Sequence, residues 1–212
     1  MDLALPLLAA SGFALGWPLD LLVRQFPRGT GTEPSSRRRL VLAVVTALAF
    51  ALVAWRIGLT ARLAPALLLT ALVVPAAAID LRHRILPNLI NLPGALAVYL
   101  VAVAAQPERW LELALAGILT TLFLGLAWFV SPAGMGLGDV KLGLLLGVGL
   151  GKLVAVALVF TFAGTTLLSL VLLVLRGLTA RKATFPFGPF LATGAVLALA
   201  FGQPLLHWYL YR

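Results

Sequence analysis

GMGLGDVKLGLLLGVGLG, residues 134–151, puts a carboxylate at the entrance to an apolar run. Glycine alternates three times before Asp139, Lys141 follows, and no further charge appears before Lys152. The surrounding chain decides how to read it. Of 212 residues, 62% are hydrophobic and only 11% charged, and mean hydropathy is +1.07. A soluble domain is about half apolar and about a quarter charged. The stretch is therefore the start of a short membrane helix, and the chain is predicted to be an all-α polytopic bundle. GVGLGKL, residues 147–153, is not a phosphate loop, because Leu153 stands where Ser or Thr is needed and no strand precedes it.

Working outward, apolar runs predict spans at about 3–23, 40–55, 63–80, 88–105, 112–130, 141–151, 154–175 and 185–205. That gives about eight helices, the sixth short. MDLALPLLAASGFALGW lacks a basic leading segment, so it reads as a retained first helix. No internal repeat or soluble domain is visible. The whole chain, 1–212, reads as one membrane-embedded domain, with residues 24–39 as a polar loop rich in Gly, Pro and Ser.

The formal net charge is +9. Loops 24–39, 81–87, 131–141 and 176–184 hold eleven of the sixteen Lys and Arg residues. The positive-inside bias places these loops in the cytoplasm and the N-terminus outside. Arg56 and Arg62, flanking a short turn on the other side, run against the bias. With the charge confined to loops, the expected partner is the bilayer and not nucleic acid. There is no cysteine, which excludes disulfides, Cys-based zinc sites and thiol nucleophiles.

Two of the seven acids stand out. Asp80 ends the third span in VVPAAAIDLRHRILPN, and Asp139 opens the sixth. They are 59 residues apart, yet the topology puts them at one membrane edge and similar depth. Each alone has an ordinary reading, Asp80 as a partner for Arg82 or Arg84 and Asp139 as a helix cap. Together they suit paired-acid hydrolysis. Like charges near contact share one proton, so one acid activates water while the other holds the scissile carbonyl. No metal, cofactor or covalent intermediate is required. The two acids lie at opposite helix ends, which predicts unequal roles.

Gly134, Gly136 and Gly138 are expected to permit positive φ and close backbone approach, offering a strand-like edge to an extended peptide. The ordinary alternative is close helix packing. Asp20 is placed to pair with Arg24 one turn on. His83 reads as a solvated loop residue.

These segments resemble a known family. GMGLGDVKL resembles the GxGD signature of type IV prepilin peptidases. IDLRHRILPNLINLP, residues 79–93, is similar to the family's first-aspartate motif, here Asp80, Pro87 and Asn88. FPFGPFLA, residues 185–192, is similar to its C-terminal Pro-Phe-Gly-Pro element, with Pro186, Gly188 and Pro189. Presenilin-like proteases carry Pro-Ala-Leu at that place and fit less well. The resemblance implies an aspartic endopeptidase of the prokaryotic inner membrane, with Asp80 and Asp139 as its catalytic pair. Its substrates would be prepilin or pseudopilin proteins cut at the cytoplasmic face. Lys141 would meet an acidic substrate residue or snorkel to lipid phosphates, and Pro186, Gly188 and Pro189 would shape the entry of the last helix. Longer bacterial members carry two Cys-x-x-Cys pairs that bind zinc, associated with N-methylation. Loop 24–39 has no Cys, so neither zinc nor methyl transfer is expected. A small ion-coupled transporter is the competing reading, and an inactive assembly scaffold a third.

Overall fold

The computed structural model describes residues 4–25, 36–132, 135–177 and 186–210. Within them the chain forms eight α-helices: α1 (Ala4–Gln25), α2 (Ser36–Ile57), α3 (Leu63–His83), α4 (Asn88–Ala105), α5 (Trp110–Val130), α6 (Leu137–Leu150), α7 (Val154–Arg176) and α8 (Gly188–Leu210). Two 3₁₀ turns, Pro107–Arg109 and Gly151–Leu153, lead into α5 and α7. No strand occurs among the described residues. Six segments are long and apolar enough to cross a membrane, and the longest, Leu137–Leu175, contains both α6 and α7. α4 contributes a shorter apolar helix, Ile90–Ala105. The chain is a multi-pass membrane protein.

The short sixth helix has a clear consequence. Fourteen residues rise about 21 Å, less than the ~30 Å hydrocarbon core. Gly151, at φ +57, ends α6. The chain then reverses, because α7 pairs antiparallel with α8, as contacts of Gly194 with Thr161 and of Gly202 with Leu153 show. α6 needs no lipid-facing length, since α4 and α5 enclose it. Its leucines Leu142, Leu145 and Leu146 are fully buried with Leu69 and Ile79 of α3 and Leu191 of α8. Gly147 sets the α5 spacing: a Cβ there would lie 2.5 Å from Ala116 O and from Gly117 Cα.

Alternation of direction brings the ends of α1, α3, α5 and α7 and the starts of α2, α4, α6 and α8 to one end of the bundle. Buried hydroxyls are satisfied within their own helices, as when Thr70 and Thr161 donate to the carbonyls of Ala66 and Ala157 at 2.8 and 2.7 Å.

Three loops are shorter than the sequence suggests. α2 begins at Ser36, so Arg37, Arg38 and Arg39 are helical and not part of a loop 24–39. Arg is a good helix former, and Arg38 and Arg39 have a buried partner. The carboxylate of Asp20 on α1 is fully buried, accepting from Arg38 Nε at 2.6 Å and Arg39 Nε at 3.1 Å. The side chain of Arg24 lies outside the described residues. Likewise Lys141 lies within α6 and His83 in the last turn of α3.

Candidate active site

Asp80 occupies the last turn of α3 and Asp139 the first turn of α6. Both are buried, at 5% and 7% exposure, and Gly138, next to Asp139, packs against Leu86, six residues after Asp80. The fold therefore brings together the two acids that the sequence separates.

Each carboxylate is held by the backbone at a helix N-terminus. Asp139 stands three residues after Gly136, the residue that precedes α6. Its Oδ2 accepts from Gly136 N–H at 3.0 Å, and its own N–H donates to Gly136 O at 3.0 Å. The cap is thus Gly136 and not Asp139 as expected, and Asp139 reaches back to it from the first turn. Asp80 Oδ2 accepts from Gly188 N–H, at the first residue of α8, at 2.9 Å. The acids lie at opposite helix ends, as read from the sequence, but the start of α8 arrives at the end of α3 and gives Asp80 an N-terminal donor as well. Asp80's main chain is fixed too: Arg84, in the left-handed region at φ 53, donates its N–H to Asp80 O at 2.8 Å.

Neither acid forms a salt bridge among the described residues. The contact of Arg84 with Asp80 is the main-chain one, and Asp139 Oδ1 is buried with no hydrogen-bond partner among those residues. A charge-assisted hydrogen bond contributes about 1.5–3 kcal/mol. Taking a carboxylate out of water costs several kcal/mol. One backbone N–H each does not offset that cost, so these acids are poor stabilisers and good candidates for chemistry.

The glycines act through space rather than through φ. Gly136 has φ −83, and neither it nor Gly138 is among the described residues with positive φ. A Cβ on Gly138 would meet Leu86 Cβ at 2.8 Å, and one on Gly188 would meet Asp80 Oδ2 at 2.7 Å. Leu137 and Gly138 are already helical, so they offer no strand-like edge. Gly134 lies outside the described residues.

Contacts from α4 join the motifs. Pro87, extended at φ −65 and ψ 130, starts α4 by accepting from Ile90 and Asn91 N–H at 3.1 and 3.2 Å. Asn88 Oδ1 accepts from Lys141 Nζ at 2.9 Å, giving Lys141 a partner within the protein. Asn91, fully buried, donates from Nδ2 to Gly138 O at 3.2 Å. Sequence reasoning missed Asn91. Its only sequence signal is its place one turn after Asn88 on the same face of α4. Pro186 precedes Phe187, whose carbonyl accepts from Phe190 and Leu191 N–H at 3.1 and 3.2 Å to open α8, and Pro189 lies in its first turn. Phe187 packs on Phe162 of α7 with centroids 5.9 Å apart, fixing Gly188 over Asp80. Among the described residues, no three His, Asp or Glu side chains cluster as metal ligands.

The fold and site define a helical membrane protein with two acids buried together at one end of its bundle. Residues 67–174, which include both, match the type IV leader peptidase family. The chain belongs to that family. It is 30% identical over 171 residues to the prepilin leader peptidase/N-methyltransferase of Bacillus subtilis, covering 79% of this chain and 67% of that protein. It is 29% identical over 186 residues to the protein of the same name from Legionella pneumophila, covering 84% and 64%. For the Pseudomonas aeruginosa protein, also of that name, identity is 30% over 182 residues, covering 82% and 62%. The chain thus spans about two thirds of the length of these relatives. No solved structure matches the chain with significance.

Proposed function

We propose that this chain is an aspartic endopeptidase of the prokaryotic inner membrane that removes the leader from type IV prepilin or pseudopilin-like proteins. The observation that carries the reading is the convergence of Asp80 and Asp139, each held by one backbone N–H and by no cation, in a chain of this family. The pair shares one proton. The ionised member takes a proton from water as it attacks the scissile carbonyl, and the protonated member hydrogen-bonds that carbonyl oxygen. The tetrahedral intermediate collapses as a proton passes to the leaving amine. The free Oδ1 of Asp139 is the oxygen suited to hold the water. Gly188 and Gly136 position the acids, and Lys141 and Asn88 hold α4 against the entrance of α6.

The site faces the cytoplasm in this reading, because the loops at that end carry most of the positive charge. A carrier is less well supported, since both acids lie at one end and not at mid-depth. Loop 24–39 has no Cys, so leader removal proceeds without methyl transfer. The test is co-expression with candidate prepilins and intact-mass measurement of their N-termini. Leader loss that requires both Asp80 and Asp139, with no added methyl mass, is expected. Leader loss by an Asp139→Asn variant refutes the acid pair, and a methylated product refutes the peptidase-only reading. Because the chain has no Cys, single cysteines introduced at Arg84 and at Gly58 report sidedness by impermeant labelling. Labelling of the Arg84 position from outside the cell reverses the orientation.

A further inference from the structure

At the end of the bundle away from Asp80 and Asp139 lies a cavity of about 690 Å³. The α2–α3 turn, the starts of α3 and of the Pro107–Arg109 turn, and the ends of α4, α6 and α8 enclose it. Pro65 lines it, and fifteen residues of α3 put Asp80 about 22 Å away. Three arginines reach its wall, Arg56, Arg62 and Arg109, together with Gln106 and Gln203.

The three differ in what they already hold. Arg109 is fully engaged: Nε and Nη2 donate to Glu112 at 3.2 and 2.9 Å, and Nη1 donates to Gln106 at 2.8 Å. Arg56 is oriented but not satisfied. Its Nε donates to Ala200 O at 2.7 Å. That carbonyl would otherwise face residue 204 of α8, and Pro204 has no N–H to give. The guanidinium lies between the rings of Trp55 and Phe201, 5.4 and 5.3 Å from their centroids. Its terminal nitrogens make no hydrogen bond among the described residues. The side chain of Arg62 makes no hydrogen bond or ion pair among them. Two guanidinium groups, one aimed by packing, thus face one cavity without a counter-charge.

We propose that this cavity binds a phosphate group, with Arg56 and Arg62 as its cationic contacts. Guanidinium presents paired donors that match phosphoryl oxygens. A phospholipid headgroup and free phosphate offer the same chemistry. The proposal is independent of the peptidase reading. In the topology proposed above, a bound anion also accounts for the two arginines that run against the charge bias.

The test uses the full chain in detergent, and native mass spectrometry counts bound phosphatidylglycerol. Diacylglycerol, with the same acyl chains and no phosphate, is the control ligand, and inorganic phosphate is assayed in parallel by thermal shift. Arg62→Gln breaks no described contact, so it tests binding without disturbing the fold, and the Arg56→Gln, Arg62→Gln double variant completes the set. Wild type should bind phosphatidylglycerol over diacylglycerol, and Arg62→Gln should bind about tenfold less, as for one lost charge-assisted contact. Lys152→Gln, which removes a charge at the same end but outside the cavity, should bind as wild type does. Arg62-dependent protection by inorganic phosphate without lipid binding supports the site and identifies free phosphate as its ligand. Equal binding by wild type and both arginine variants, or an equal loss in Lys152→Gln, overturns the proposal.

Discussion

Asp20 and the pair Asp80 and Asp139 are all buried near the same end of the bundle, yet the protein treats them differently. Asp20 is fully buried and gripped by two guanidinium groups from α2. Asp80 and Asp139 have one backbone N–H each and no salt bridge among the described residues. An acid clamped by two cations is fixed as an anion and joins α1 to α2. An acid held only by a peptide N–H keeps its orientation and can still exchange a proton. A guanidinium here would orient the carboxylates as well but would hold them charged. Backbone donors are the arrangement that aims an acid without fixing its charge.

The largest effect expected from this contrast is on cleavage. Asp80→Asn or Asp139→Asn should lower leader removal by about 10³-fold or more while leaving the thermal unfolding midpoint unchanged or higher. Asp20→Asn should do the reverse. Removing one member of a buried ion cluster costs about 3–5 kcal/mol, seen as a lower midpoint, while the rate per folded molecule stays near that of wild type. If Asp20→Asn stops cleavage in protein that remains folded, the division between the acids fails.

Smaller effects test how the pair is aimed. Gly188→Ala forces a Cβ to within 2.7 Å of Asp80 Oδ2. It should lower the cleavage rate by about 10²-fold, the scale of a misplaced catalytic group, with little change in substrate KM. Asn91→Ala removes the donor to Gly138 O. A loss of about 1–3 kcal/mol in stability follows from an unpaired buried carbonyl, with a drop in cleavage that Asn91→Gln does not fully restore. Lys141→Met should have the smallest effect, because an exposed hydrogen bond contributes about 1 kcal/mol or less. A Lys141→Met loss as large as that of Asp139→Asn would move Lys141 into the chemistry.

Hydropathy alone located the eight helices of the described residues, including the short sixth, because helices that face lipid or the apolar interior of the bundle carry their signal in composition. The acid pair was legible because two carboxylates at one depth are unusual and the charge bias put their loops on one side. What stayed hidden depends on contacts between distant segments. Nothing local to Asp80 shows that Gly188, 108 residues later, will donate to it. Arg38 and Arg39 read as loop charge because their partner lies on another helix. Gly138 read as a source of flexibility, whereas its role is to leave room for Leu86. Asn91 was invisible for the same reason, since an amide in an apolar helix carries no signal until its partner is known.

The central claim is that Asp80 and Asp139 act as one unit, and a double-mutant cycle on cleavage tests it most directly. Leader removal is measured by single-turnover mass analysis in lipid vesicles for Asp80→Asn, Asp139→Asn and the double variant, with folding checked for each. Groups acting together are strongly non-additive. The predicted result is that the double variant is no slower than either single one, all three at the same residual rate. A double variant slower by the product of the two single losses, or a single variant within about tenfold of wild type, contradicts a shared mechanism.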